Sequence, residues 1–149
     1  MLVGNNAHEI NLFTIILGQP ASKSLATVAG GVFNCPSGDA AKARADNKVK
    51  AWRYLYAGEW PNQMIAKDAG AWHGSEIGMV FGSIEYQQQF YGKMTKQSIS
   101  FPDTEEQKKL SKTMMTAWTS FAKDPENALE KLGWPVYDPA SEFCSAVRK

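Results

Sequence analysis

Cysteine and histidine are scarce in this chain, with two of each in 149 residues. Cys35 and Cys144 lack the close spacing of metal ligands and are too few for a disulfide framework. One bridge between them and two separate thiols both stay open. His8 and His73 lie far apart with no cysteine beside either, so no metal is expected. His73-x-x-Glu76 has the spacing of one half of a carboxylate metal motif, and the second half is missing. No apolar run is long enough to cross a bilayer, so no membrane span is expected. The first residues lack the basic start and apolar stretch of a secretory signal, and nothing else marks the compartment. Charge of either sign is also absent in excess: 16 basic and 15 acidic side chains leave a net +1. Without a basic run or an aromatic-basic stripe, nucleic acid is not expected as a partner.

What is present suits one globular domain, residues 1–149, with 44% apolar and 21% charged residues. Leu2-Val3 reads as a strand end and Gly4-Asn5-Asn6 as a turn. A chain that opens inside a strand implies missing upstream sequence. Ile10, Phe13 and Leu17 at helical spacing predict a short helix from His8, stopped at Gly18-Gln19-Pro20. A second helix is expected from Cys35-Pro36 to about Asp46, with Ser37 as its N-cap. Trp52-Arg53-Tyr54-Leu55-Tyr56 reads as a strand. Residues 64–72 read as loop, 75–81 as one or two helical turns, and Gln87-Gln88-Gln89 as irregular. Residues 102–107 carry the cap and early acids of a long helix. Leu110, Met114, Ala117, Trp118 and Phe121 form its apolar stripe, and Asp124-Pro125 closes it. The mixture predicts an α/β class.

The residues with chemical potential are few. His73 lies in Gly70-Ala71-Trp72-His73-Gly74-Ser75-Glu76, a loop between glycines. From the residues alone it is either a histidine bonded to a backbone group or a catalytic one. A hydrolytic histidine needs a nucleophile. In α/β-hydrolases that is the serine of Gly-x-Ser-x-Gly, whose glycines permit a strained strand-to-helix turn. Every serine here fails the pattern: Ser37, Ser75 and Ser83 each have a neighbouring glycine, but at the wrong offsets. The glycine-rich oxyanion segment is absent too.

Gly70 to Gly82 closely resembles the histidine loop of the type-B carboxylesterase/lipase family, whose pattern is His-Gly-x-Glu, an aliphatic residue and Val-Phe-Gly. Val3 to Phe13 resembles the family's acid loop, Gly-x-Asn-x-Asp-Glu-Gly, with His8 in place of the aspartate and Ile10 in place of the last glycine. A β-branched residue does not readily take a glycine-only backbone angle, and that departure bears on the local geometry at Glu9. Phe33-Asn34-Cys35-Pro36, the strand 52–56 with its exit Gly58 to Asn62, and the segments 110–125 and 134–137 resemble further family landmarks in the right order. The resemblance runs from Val3 to about Tyr137. Residues 13–33 are much shorter than in the family, and the last dozen do not match well.

The resemblance implies the C-terminal part of an α/β-hydrolase fold, incomplete, with few strands, several helices and long loops. It implies His73 as the triad histidine and Glu9 as the triad acid, with Glu76 and Gly74 supporting the histidine loop. It implies no cofactor. In some members a cysteine of the last long helix bridges the Cys-Pro segment; here Met115 takes that place and Cys35 loses that partner. Family members are often secreted. An ester substrate is expected only if the missing N-terminal part supplies the serine. The alternative is a non-catalytic remnant or a binding or decoy module, prone to self-association through an exposed sheet edge.

Overall fold

The computed structural model describes residues 1–18, 27–28, 30–95, 101–140 and 145–147. Cys144 and the Gln19-Pro20 stop lie outside them. Three parallel strands form the sheet in the order β1 (Leu2–Asn6), β2 (Trp52–Tyr56), β3 (Ser145–Val147). Parallel neighbours require long crossovers, and the described residues of the one from β1 to β2 include the helices α1 (Asn11–Ile16) and α2 (Cys35–Asp46). β1 thus stands at one edge of the described sheet.

β1 is longer than the sequence suggested, because Gly4 to Asn6 continue the strand rather than turn. Leu2 pairs with Trp52 and the register holds to Asn6 opposite Tyr56. A side chain at Gly4 would overlap the Tyr54 ring, so glycine there marks a close approach between strands, not a bend. Asn5 and Asn6 are tolerated in the interior because each is hydrogen-bonded: Asn5 accepts from the Ser37 hydroxyl at 3.1 Å and Asn6 donates to the main-chain oxygen of Trp72 at 2.7 Å.

Alternation along β2 separates two faces. Trp52, Tyr54 and Tyr56 pack toward α5 (Glu105–Lys123), where Met114, Ala117 and Trp118 meet them. Arg53 points to the other face and donates to the carbonyl of Asn34 at 3.1 Å, beside α2. The sheet therefore lies between helices, as an α/β class requires. Two cores fill the α5 side: Tyr56, Trp60, Ala71, Met79, Ile84 and Met114 in one, and Trp52, Ala117 and Leu129 in the other.

α5 follows its sequence signals closely. Thr104 is an extended N-cap whose side chain accepts from the Gln107 N–H at 3.1 Å, and Asp124 caps the other end. The Gln107 side chain does not reach back to Thr104: its amide is buried and donates to Asn62 at 2.9 Å. Ser37 does not cap α2. A π-helical turn, Gly30–Asn34, runs into the helix, Asn34 is the N-cap, and Ser37 sits inside the first turn. The periodic residues of α1 do not face the core, since Phe13 and Leu17 are exposed.

The largest departure falls at Gln87-Gln88-Gln89, which are helical, not irregular. They lie in α4 (Ile84–Thr95), which follows α3 (Ile77–Phe81) after a left-handed Gly82. The inward positions are Ile84, Gln87 and Tyr91, so a buried amide interrupts the apolar stripe by which a helix is recognised. Cys35 is exposed and free. Among the described residues no helix is long and apolar enough to cross a membrane, and no group of three or more His, Cys, Asp or Glu is placed to hold a metal ion.

Candidate active site

The C-terminal end of β1 brings the two loops of interest together. Beyond Asn6 the chain leaves the sheet, Ala7 donates to the carbonyl of Tyr56 at 2.8 Å, and His8 forms a parallel bridge with Trp72. Residues 6–10 and 70–76 therefore run side by side at the carboxyl end of the strands, where open α/β sheets place their ligands.

Glu9 and His73 meet in this seam: Glu9 Oε2 lies 2.7 Å from His73 Nδ1. The other carboxylate oxygen, Oε1, accepts the Asn6 N–H at 2.6 Å. The Glu9 side chain is 7% exposed and that of His73 is 43% exposed. A buried carboxylate with one oxygen anchored to backbone can offer the second only in a fixed direction, and the imidazole it meets stays partly open to solvent. With Nδ1 facing a carboxylate, the neutral ring carries its proton on Nδ1 and leaves Nε2 as a base. The main chain at Ile10 is helical (φ −70, ψ −20), so the residue after Glu9 avoids the backbone angle that would require glycine.

Gly74 has φ +87, a conformation that side-chain-bearing residues rarely adopt, and it turns the chain from His73 into α3. Glu76 stands at the N-terminus of α3 and accepts from the Asn6 amide, which also holds Trp72 O. Burial pushes the Glu76 carboxyl up from its ordinary value, opposed by the hydrogen bond from Asn6. Glu76 thus joins the acid strand to the histidine loop and does not itself reach His73 by a hydrogen bond.

Three contributors to this geometry escaped the sequence reading. Asn6 was visible as the asparagine of the acid-loop pattern, yet its double role was not. Phe13 and Phe33 place their rings 5.5 and 4.9 Å from the His73 ring, forming an aromatic wall against it. Nothing local in the sequence links residues 13 and 33 to 73. Gln87 braces the loop from α4: its Nε2 donates to Gly74 O at 2.7 Å and its Oε1 accepts from Gly78 N at 3.0 Å.

A family model described as the carboxylesterase family matches residues 18–148, and the chain belongs to that family. The matched residues contain the histidine loop; the acid loop lies before them. Secreted lipase 5 of Gibberella zeae is 31% identical over 126 residues, which are 85% of this chain and 21% of that protein. Chlorogenic acid esterase of Aspergillus niger is 25% identical, over 77% of this chain and 23% of that protein. Among solved structures, a PNB esterase superposes with a TM-score of 0.70 at 23% identity, over 98% of this chain and 34% of that one. An esterase from anaerobic Clostridium hathewayi, described as able to hydrolyze aliphatic aromatic polyesters, gives 0.64 at 18% identity, over 99% and 33%. These structures define the fold as that of the α/β-hydrolases. The chain spans 21% and 23% of the curated relatives and about a third of the solved ones.

Proposed function

We propose that residues 1–149 carry the acid and the histidine of a carboxylic ester hydrolase, with Glu9 orienting His73 and with Glu76 and Gly74 shaping the histidine loop. The observation that supports this reading is the 2.7 Å contact between Glu9 Oε2 and His73 Nδ1, with the imidazole partly open to solvent. In such a pair Nε2 takes the proton of a serine hydroxyl as it attacks the ester carbonyl and gives it to the alcohol oxygen as that leaves; in the second half Nε2 takes a proton from the attacking water and gives it to the serine oxygen as the acyl bond breaks. The Glu9 carboxylate fixes the tautomer and stabilises the imidazolium that forms. Metal or cofactor is not needed for these steps.

The serine and the oxyanion donors come from outside these residues, since no serine here lies in Gly-x-Ser-x-Gly. Residues 1–149 alone are therefore inactive toward esters. The test uses a short-chain nitrophenyl ester. The purified chain gives no turnover above buffer, and a complex with a polypeptide bearing the serine and oxyanion segments of a family member turns it over. His73→Ala abolishes that turnover. Turnover that survives His73→Ala in the complex overturns the reading. A second reading, a non-catalytic module that self-associates, is favoured by the position of β1 at the edge of the described sheet; concentration-dependent sedimentation of the chain without any complementation would support it instead.

A further inference from the structure

His8 occupies the place where an aspartate is usual in the acid loop, and its ring is engaged. Its main-chain N–H donates to the carbonyl of Ala71 at 3.0 Å, and its Nδ1 accepts the Ala71 N–H at 3.2 Å. One residue of the acid loop thus satisfies both polar main-chain groups of Ala71, which is wholly buried and stands two positions before His73. Gly70 has φ +62, and any side chain there would run into the His8 imidazole, so the ring lies directly against the loop backbone. Glu9 follows His8 directly in the chain.

We propose that His8 is a positioning residue, a latch that holds the acid loop in register with the histidine loop so that the Glu9 carboxylate meets His73. The inference rests on Glu9 and His73 working as a pair. Glu9 is fixed to its own loop by the Asn6 N–H, and that bond says nothing about where the loop lies relative to His73. The main-chain bond from His8 to Ala71 sets one point of contact. The ring adds a second bond at the same residue, directly before Glu9, between the ties that Asn6 makes to Trp72 O and Asn11 to Ala69 O. To accept from Ala71 the ring must keep the Nδ1 lone pair free and carry its proton on Nε2. Glu59 Oε1 lies 3.7 Å from the same nitrogen and can partner only a ring protonated there, so it competes with Ala71 for His8.

Two substitutions separate this role from simple packing. His8→Asn places an amide oxygen close to the position of Nδ1 and so keeps an acceptor for Ala71. His8→Phe keeps a ring and removes the acceptor. The purified 149-residue chain, labelled with ¹⁵N at histidine, is read by long-range proton–nitrogen spectra and by the far-downfield proton of a His73 Nδ1–H bonded to Glu9. Glu9→Ala, which deletes that proton's acceptor, assigns the signal. The wild-type chain shows His8 with an unprotonated Nδ1 and the His73 downfield proton. His8→Asn retains the downfield proton and keeps Ala71 amide exchange within about threefold of wild type, whereas His8→Phe loses the proton and speeds that exchange roughly tenfold. A downfield proton unchanged in His8→Phe, or lost in His8→Asn as well, overturns the latch while leaving the Glu9–His73 pair standing. A wild-type chain with no such proton, unaltered by Glu9→Ala, overturns the pair and the latch with it.

Discussion

Asn6 and Glu76, seventy positions apart, share a partly buried hydrogen bond in which the Asn6 amide donates to the Glu76 carboxylate while also holding the carbonyl of Trp72. The carboxyl is raised above its ordinary value chiefly by burial. A raised acid contributes stability that is complete below the unfolded-state value and is lost as pH rises through the folded-state value. Ionised Glu76 therefore costs stability near neutrality. Glu76→Gln keeps an acceptor for Asn6 and removes the charge. Urea unfolding of the two chains between pH 4 and 8, a window set by about 4.3 for an unperturbed glutamate, will show the wild type losing ground to Glu76→Gln as pH rises. Parallel stability curves would contradict this.

Glu9 anchors its own loop as well as the imidazole. Glu9→Ala leaves the Asn6 N–H buried without an acceptor, which costs about 1–3 kcal/mol. Glu9→Gln can still accept at that position and is expected to lose less. Denaturant midpoints of the two variants give the order; a Glu9→Ala chain as stable as wild type would mean that the Asn6 contact contributes nothing net.

Thr104 is the N-cap of α5, the best-signalled helix in the sequence. Thr104→Ala removes the acceptor for the Gln107 N–H and should cost about 1 kcal/mol. Thr104→Ser should restore most of it. Thermal melts followed by circular dichroism check both, and the Ser variant guards against reading a packing loss as a capping loss.

Met114 is fully buried in the core that joins Tyr56 and Trp60 to Met79. Met114→Ala is expected to lower stability by about 2–5 kcal/mol, at a lower urea midpoint with an unchanged slope. A changed slope would signal that unfolding is no longer a single transition.

Physical scale decides what the sequence makes legible. Local signals are read well: Thr104 with the acids behind it, the aromatic run 52–56 and the stop at Asp124 each depend on neighbours within one turn or one strand. The Glu9–His73 pairing spans 64 positions and was accessible only because both loops resemble known ones. Gly4 read as a turn because its use, a close approach to Tyr54, lies on another strand. Ser37 read as a cap because the π-helical turn before it leaves no periodic trace. The wall of Phe13 and Phe33 beside His73 brings together residues far apart in the chain, which no window of sequence reports.

Gln87 shows the same limit from the opposite direction. Its polar side chain makes α4 look irregular, yet that side chain docks the helix alongside Ile84 and Tyr91. Its Oε1 accepts from Gly78 N and from Gln63 Nε2, both at 3.0 Å, and its Nε2 donates to the carbonyl of Gly74. Gln87→Ala therefore strips the buried Gly78 N–H of its acceptor, while the Gln63 amide keeps Ser75 O and the Gly74 carbonyl keeps the Ile77 N–H. The loss should be that of one unsatisfied buried group, about 1–3 kcal/mol. Its distinctive mark is local: amide exchange at Gly78 accelerates more than exchange in α5, because the bond removed is on the histidine loop's own exit. Gln87→Glu retains the acceptor for Gly78 and loses the donor to Gly74, so it should protect the Gly78 amide while still lowering global stability. Equal acceleration at Gly78 in both variants would show that the helix as a whole, not the amide oxygen of Gln87, holds that turn in place.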